Sequence, residues 1–263
     1  MTNLNTTFAS YPSLTDRTVL ISGGTTGIGA DMVAQFVAQG AKVSFLGRNQ
    51  EAAEQLIAAI AAEGAGQKCH VPLFLPCDVC DIPALQAAIS TARDHFGPIS
   101  ILVNNAANDH RHSIAETTVA SWDNGMAVNL RHQFFAAQAV MDDMQKLGGG
   151  SIINLGSISW KNKTGGMPAY TTSKAAIQGL TRSLARDLGP HNIRVNTLVP
   201  GWVMTEKQIK LWLDDAGERE IDQMQCLKAR LDSGDISRMA LFLAADDSKM
   251  CTAQDFIVDG GWV

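Results

Sequence analysis

The sequence predicts an α/β fold in which one doubly wound parallel sheet is covered by helices on both faces. Short apolar runs alternate with helical patterns along the whole chain of 263 residues. A glycine-rich turn separates the first apolar run from the first helical pattern, and no linker, repeat or low-complexity segment divides the chain. Because such alternation forms right-handed βαβ crossovers, we expect the strands to lie parallel within a single domain, residues 1–263.

Each predicted strand is a short apolar run, and each predicted helix carries apolar residues at helical spacing. In the first helix, for example, Ile28, Met32 and Phe36 recur every four residues and share one face. The seven predicted strands cover, in chain order, residues 17–21, 42–46, 71–77, 99–104, 151–155, 194–199 and 256–258. The predicted helices cover residues 28–39, 49–63, 81–96, 122–147, 170–188 and 235–245.

Local signals set several of these boundaries. Gly64 ends the second helix, Asp81 caps the third with Pro83 in its first turn, and three glycines at 148–150 stop the long fourth helix. Residues 203–233 depart from the alternation, since they are polar and helical in tendency. We predict that they form a small, mobile substrate-binding insertion over the active site rather than a second domain.

Composition excludes several classes of function. A hydrophobic content of 46% with 18% charged residues is typical of a globular protein. A net charge of −5 without a Lys/Arg cluster argues against nucleic acid as a partner. The amino terminus lacks a basic start followed by an apolar run, and no apolar stretch is long enough to cross a bilayer. The expectation is a cytoplasmic protein with no membrane partner.

Five cysteines form an odd set, of which Cys77 and Cys80 make a Cys-x-x-Cys pair. Such a pair is compatible with redox chemistry or with half of a zinc site. Cys77 ends an apolar run, however, and the sequence has no second pair. We therefore interpret these residues as free, partly buried cysteines, and we predict no metal site. The other cysteines are Cys69, Cys226 and Cys251.

Tyr170 and Lys174 are spaced for proton transfer. Residues i and i+4 lie on one face of a helix, so the lysine ammonium can approach the phenol and favour phenolate. Lowering the tyrosine pKa from ~10 to about 7 requires roughly 4 kcal/mol. Ser157, thirteen residues upstream, could hydrogen-bond the oxygen that gains or loses the proton. Alone, this spacing is a weak signal, because most chance matches are surface helix residues.

The turn after the first strand reads Gly-Gly-Thr-Thr-Gly-Ile-Gly over residues 23–29. Glycines let backbone N–H groups approach a pyrophosphate at a helix amino terminus, where the helix dipole favours anions. The spacing differs from the commoner Gly-x-Gly-x-x-Gly fingerprint. Because the turn joins a strand to a helix, it predicts a dinucleotide site.

Together these motifs resemble the short-chain dehydrogenase/reductases. The matching segments, in the family's order and spacing, are the glycine turn, Asn104-Asn105-Ala106-Ala107, Asn129, Ser157, Tyr170-x-x-x-Lys174, Pro200-Gly201 and the carboxyl-terminal Val258-Asp259-Gly260-Gly261-Trp262. The resemblance implies a Rossmann-type sheet of seven parallel strands, NAD or NADP as cofactor, and a homotetramer.

The resemblance also implies catalytic roles. Tyr170 would be the general base, and Lys174 would bind the nicotinamide ribose and lower the tyrosine pKa. Ser157 would orient the substrate, and Asn129 would anchor a water that relays the proton.

For the cofactor, the resemblance implies that Asp78 and Val79 contact the adenine, Asn105 and Ala106 line the adenosine side, and Thr205 holds the carboxamide. The full predicted cofactor set is Gly23, Thr25, Thr26, Gly27, Ile28, Gly29, Arg48, Asp78, Val79, Asn105, Ala106, Tyr170, Lys174, Pro200, Gly201, Val203 and Thr205.

The end of the second strand predicts which cofactor is used. NAD-dependent members have a carboxylate there that binds the ribose 2′-OH, whereas this chain has Gly47 followed by Arg48. An arginine can pair with a 2′-phosphate, which favours NADP. Thr26 stands where many NADP-specific members have a basic residue, so NAD is the alternative cofactor. A solvated loop arginine is the alternative interpretation of Arg48.

Residues on the substrate side resemble bacterial sugar 1-dehydrogenases of this family. The candidates for substrate binding, besides Ser157, are Asn108, Asp109, Ser159, Trp160 and Trp202. A sugar offers hydroxyls to polar side chains and a C–H face to an aromatic ring. The expected reaction is oxidation of the C1 hydroxyl of an aldose, such as a D-xylose-like sugar, to the lactone. The alternative interpretations are a solvated charged loop and tryptophans that only pack.

Two other functions are alternatives. One is a carbonyl reductase acting on a keto-sugar acid or a 3-oxoacyl thioester. The other is a non-catalytic nucleotide-sensing regulator, against which the intact set of Asn129, Ser157, Tyr170 and Lys174 argues.

Overall fold

The computed structural model describes residues 8–63 and 70–263, and in these ranges seven parallel strands form one sheet in the order β3-β2-β1-β4-β5-β6-β7. The strands are β1 (Thr18–Ser22), β2 (Lys42–Gly47), β3 (Leu73–Pro76), β4 (Ile101–Asn104), β5 (Gly150–Leu155), β6 (Ile193–Pro200) and β7 (Asp255–Val258). The predicted doubly wound sheet is confirmed. Gly64 and Cys69 lie outside the described residues.

Helices connect successive strands and cover both faces of the sheet. They are α1 (Gly27–Ala38), α2 (Gln50–Glu63), α3 (Ile82–Phe96), α4 (Val119–Met126), α5 (His132–Lys146), α6 (Pro168–Leu188), α7 (Glu206–Leu211), α8 (Asp215–Met224) and α9 (Ser233–Ala244). Asp81 caps α3 as predicted, since its side chain accepts a hydrogen bond from the Ala84 amide at 3.0 Å.

The long helix predicted over residues 122–147 is the main difference from the sequence-based assignment. The segment begins earlier, at Val119, because Thr118 and Ser121 form a reciprocal capping box. A π-helical turn, Ala127–Arg131, then separates α4 from α5. Such turns insert one residue into a helix and are frequent at functional sites. This one contains Asn129.

The apolar residues of each strand supply two cores, one on either face of the sheet. In β1, Val19 and Ile21 pack in the cluster that includes α1 and α9, whereas Leu20 packs in the cluster that includes α3 and α5. Side chains alternate between faces along a strand, and in this sheet both faces are covered. This explains why the strands are continuous apolar runs in the sequence.

Strand order positions the functional site. From β1 the chain proceeds through β2 to β3 at one edge and then returns to β4 on the other side of β1. Ligands of doubly wound sheets bind at the carboxyl ends of the strands where the order reverses. Ser22 and Asn104 end β1 and β4 in direct register at that point.

Residues 203–233 contain α7 and α8 and extend from just after β6 to the first residue of α9. Val203 and Leu231 form an isolated parallel bridge, so the insertion leaves and rejoins the domain at one place. Its mobility stays a prediction. In the described part of the chain, no helix combines the length and apolarity required to span a membrane.

Candidate active site

The structure brings together Ser157, Tyr170 and Lys174 at the carboxyl end of β5. Pro168 begins α6, so the tyrosine and the lysine lie in its first two turns. The Lys174 Nζ lies 5.5 Å from the centre of the Tyr170 ring and donates a hydrogen bond to the Leu155 carbonyl at 2.6 Å. Ser157 lines the same cavity as Tyr170, and its hydroxyl acts to lower the pKa of the phenol. The arrangement is that of a proton-transfer site.

Burial controls the ionisation of this pair. It raises the pKa of Tyr170 to about 12, which the hydrogen bond with Ser157 opposes and the charge of Asp109 reinforces. Burial also lowers the pKa of Lys174 to about 7. The predicted lowering of the Tyr170 pKa by Lys174 stays a prediction, because burial, the largest influence on this pKa, acts in the opposite direction.

Asn129 fixes the loop that follows β4. Its amide nitrogen donates to the carbonyls of Gly125 at 3.0 Å and Asn108 at 3.1 Å, and its oxygen accepts from the Asn108 amide at 2.8 Å. The side chain is 1% exposed. Asn129 therefore binds both the amide and the carbonyl of Asn108. Its role in anchoring a water stays a prediction.

A groove runs along the carboxyl ends of β1 to β4. Twelve of the predicted cofactor residues line it, namely Gly23, Thr25, Thr26, Gly27, Ile28, Gly29, Arg48, Asp78, Val79, Asn105, Ala106 and Thr205. The other five line the adjoining cavity, which also contains three of the predicted catalytic residues, Ser157, Tyr170 and Lys174; these five are Tyr170, Lys174, Pro200, Gly201 and Val203. Ile28, Asn105, Ala107 and Thr205 line both spaces, so the groove and the cavity are continuous.

The glycine turn fits a dinucleotide pyrophosphate. A Cβ added to Gly29 would lie 2.0 Å from the Gly23 carbonyl oxygen, so only glycine allows this close approach. Gly23 and Gly27 have φ angles of +68° and +57°, which favour glycine. Thr26 caps α1 without a side-chain hydrogen bond, so the first amides of the helix remain available to an anion.

Arg48 lines the groove beside Asp78, with its guanidinium 3.6 Å from the Asp78 carboxylate and its side chain 75% exposed. Exposed ion pairs contribute roughly 0–1 kcal/mol, so the guanidinium is free to engage a phosphate. A Cβ at Gly47 would lie 2.4 Å from Thr25 Cγ2. A carboxylate at this position would therefore require Thr25 to shift.

The adjoining cavity contains some of the predicted substrate residues but not all. Asp109, Ser157, Ser159 and Trp202 line it, whereas Asn108 and Trp160 are not among its lining residues. The Asn108 backbone is bound by Asn129, and Lys161 Nζ lies 4.7 Å from the centre of the Trp160 ring.

Sequence reasoning missed several lining residues of this cavity: Arg111, Asn162, Thr164, Met167, Gln208, Glu220 and Trp262. It also missed Lys207 and Lys210 in the cofactor groove. Three signals were available. The carboxyl-terminal motif contains Trp262, the segment predicted to cover the active site (203–233) contains Lys207, Gln208, Lys210 and Glu220, and Arg111 lies two residues after the predicted Asp109. The remaining three residues, Asn162, Thr164 and Met167, come from a loop that carries no motif.

Asp109 connects the loop after β4 to the insertion. Its carboxylate accepts hydrogen bonds from Lys207 and from Gln208 Nε2, the latter at 2.6 Å. Gln208 Oε1 in turn accepts from Trp202 Nε1 at 3.0 Å. Burial alone would raise the pKa of Asp109, but the hydrogen bonds from Lys207 and Gln208 hold it below its usual value. Asp109 is thus a carboxylate that ties α7 over the junction of groove and cavity.

The Cys-x-x-Cys pair lies beside the groove. Cys77 is buried, and burial raises the pKa of its thiol to about 11, with Asp78 contributing in the same direction. The thiol is therefore protonated at neutral pH. Within residues 8–63 and 70–263, no three His, Cys, Asp or Glu side chains are placed to hold a metal ion.

Comparison with known proteins identifies the family. A family model described as Enoyl-(Acyl carrier protein) reductase matches residues 23–263. The D-xylose 1-dehydrogenase of Caulobacter vibrioides (strain NA1000 / CB15N) is 44% identical over 254 residues, which cover 97% of this chain and 98% of that protein. The "Probable galactose dehydrogenase GalD" of Rhizobium meliloti (strain 1021) is 45% identical over 253 residues, covering 96% and 97%.

Solved structures agree. A short-chain dehydrogenase/reductase variant from Serratia marcescens superposes with a TM-score of 0.86 at 32% identity, covering 95% of this chain and 99% of that chain. A 7α-hydroxysteroid dehydrogenase in complex with NADH and 7-oxo glycochenodeoxycholic acid gives a TM-score of 0.89 at 30% identity, with 96% of each chain covered. The chain belongs to the short-chain dehydrogenase/reductase family and is an oxidoreductase of that family, which uses a nicotinamide dinucleotide, NAD(P), as cofactor.

Proposed function

We propose that this enzyme oxidises the C1 hydroxyl of an aldose, such as a D-xylose-like sugar, to the lactone, with NADP as the preferred cofactor and NAD as the alternative. The observation that carries the proposal is the position of the Tyr170 hydroxyl, which lies in a cavity lined by both hydrogen-bonding and indole side chains. Asp109 and Gln208 match sugar hydroxyls, and Trp202 matches a C–H face. Two relatives that are 44% and 45% identical are named as sugar dehydrogenases.

The residues divide the chemistry. The Ser157 hydroxyl orients the anomeric hydroxyl toward the Tyr170 oxygen, which takes its proton. A bound oxidised nicotinamide would supply the acceptor for the hydride from C1 and, until that transfer, a positive charge beside the tyrosine. Because burial raises the pKa of Tyr170 to about 12, that charge together with Lys174 is needed to form phenolate. Tyr170 is therefore an active base only when the groove is filled.

Lys174 has a second task at this site. Its hydrogen bond to the Leu155 carbonyl holds Nζ at the end of β5, 5.5 Å from the centre of the tyrosine ring. From there it can bind ribose hydroxyls and keep a positive charge close to the phenol. Lys174 thus links the cofactor side of the site to the proton-transfer side.

Arg48 supports the preference for NADP. Gly47 supplies no carboxylate at the end of β2 that would repel a 2′-phosphate, and the exposed guanidinium of Arg48 lines the groove, where it could pair with that phosphate. We also propose that the enzyme is a cytoplasmic homotetramer, as the family resemblance implies. Val119 and Phe134 are exposed apolar side chains on α4 and α5 that could take part in subunit contacts.

A substrate screen tests the proposal. The purified enzyme would be assayed with D-xylose and D-galactose in the presence of NAD or NADP, and with a keto-sugar acid and a 3-oxoacyl thioester in the presence of NADH or NADPH, by the absorbance of the reduced nicotinamide. We expect reduced cofactor to form with an aldose, faster with NADP, and the lactone to be trapped by hydroxylamine. Turnover confined to reduction of the keto acid or the thioester would overturn the proposal.

A further inference from the structure

We infer that Trp262 is a specificity-determining residue that supports the C–H face of the sugar ring, and that Asp259 is a positioning residue that presents it. The inference rests on the proposed function, because it names the part of the cavity that recognises the aldose. Trp262 is the penultimate residue of the chain, and its indole lines the catalytic cavity.

Asp259 clamps the chain on both sides of Trp262. Its two carboxylate oxygens accept hydrogen bonds from the amides of Gly261 at 2.8 Å and Val263 at 2.9 Å. The residue is 5% exposed, so these charge-assisted bonds form away from solvent, where they are strongest. Both oxygens are thus used to hold the backbone on either side of one side chain.

The turn that precedes Trp262 admits little change. Gly260 and Gly261 have φ angles of +68° and +81°, which reverse the chain after β7. A Cβ on Gly260 would lie 2.4 Å from Gln225 Nε2, and this side chain donates to the Asp259 carbonyl at 3.2 Å. Gln225, which directly follows α8, therefore fixes the position of this turn.

This turn inserts the indole of Trp262 into the cavity. The side chain is 8% exposed and packs with Ile158, which follows the catalytic Ser157, and with Ile221 of α8. Its ring centre lies 6.4 Å from that of Trp202, with the ring planes inclined by 54°. The two indoles form an apolar corner of a cavity whose other walls include polar side chains.

An apolar corner facing hydrogen-bonding groups matches the chemistry of a pyranose. The ring presents C–H bonds on its faces and hydroxyls around its rim, so one face can rest on an indole while the rim is hydrogen-bonded. Asp109, Gln208, Asn162 and Thr164 line the same cavity and can serve the rim. If Trp262 served only for packing, its burial would be explained, but binding of the aldose would not depend on an aromatic ring at this position.

The test compares Trp262→Leu, which keeps an apolar side chain and removes the aromatic face, with Trp262→Phe, which keeps an aromatic ring. We expect Trp262→Leu to raise the KM for the aldose by about three- to tenfold, the range that an aromatic contact supplies, while kcat and the Kd for NADP stay near wild type. Trp262→Phe should recover much of the loss. The matched control is Trp122→Leu in α4, which lines neither the groove nor the cavity.

A double-mutant cycle tests the clamp. Asp259→Asn should raise the same KM, and it should add little to the effect of Trp262→Leu if Asp259 acts through the indole. Additive effects would refute the positioning role. An unchanged KM in Trp262→Leu, with aldose still oxidised by the wild type, would overturn the inference alone, whereas no aldose oxidation by the wild type would overturn the proposed function and the inference together.

Discussion

The groove and the adjoining cavity, the cofactor half and the substrate half of the proposed site, are built in different ways. In the cofactor half, turns that directly follow β1 to β4 bring backbone against backbone, as where Gly29 meets the Gly23 carbonyl. In the substrate half, the loop after β4, α7 and the carboxyl terminus are joined by side chains such as Asp109 and Gln208. The difference teaches that cofactor binding here is a property of the fold, whereas substrate choice depends on side chains that can change while the fold persists.

Tyr170→Phe should have the largest effect, because it removes the proton acceptor at the junction and leaves both halves in place. We expect kcat to fall by at least about 10²–10⁴-fold, the usual contribution of a general base, with the Kd for NADP nearly unchanged. Steady-state kinetics and nucleotide titration would measure the two quantities. Near-normal turnover would refute the role given to Tyr170.

Gly29→Ala tests the backbone character of the cofactor half. The added methyl would overlap the Gly23 carbonyl, and overpacking of this kind costs roughly 1–3 kcal/mol, so we expect the Kd for NADP to rise by about tenfold or more. Gly179→Ala in α6 is the control, since its Cβ would meet nothing within 4 Å and alanine favours a helix. If Gly29→Ala bound NADP like the control, the cradle would not require glycine.

Arg48→Asp probes a cofactor contact that depends on a side chain, so its effect should be selective for one of the two cofactors. Loss of a charged hydrogen bond to the 2′-phosphate costs roughly 1.5–3 kcal/mol, which should lower kcat/KM for NADP by about tenfold or more while NAD is little affected. Arg131→Asp is the matched control, because Arg131 bonds the nearby Cys80 carbonyl at 3.2 Å but does not line the groove. Unchanged preference for NADP over NAD in Arg48→Asp would refute the role given to Arg48.

The difference between backbone contacts in the groove and side-chain contacts in the cavity also determines how much of the site could be predicted from the sequence. Gly23, Gly27 and Gly29 carry a backbone requirement that is visible as a local spacing, and all three line the groove. Asp109 also lines the cavity, but its partners Lys207 and Gln208 lie 98 and 99 residues further along the chain in a segment without a motif. No local pattern could indicate that pairing.

The sequence by itself determined the order of strands and helices, the glycine cradle and the placement of Tyr170 and Lys174 on one helix face. These features depend on the spacing of residues that lie a few positions apart. That spacing is a property of the sequence and needs no tertiary contact. Only the tertiary structure decided that Trp262 lines the same cavity as Tyr170 and that burial raises the pKa of Tyr170 to about 12. Both depend on which distant segments return to enclose the site, because desolvation and packing are set by all the neighbours of a group and not by its own sequence.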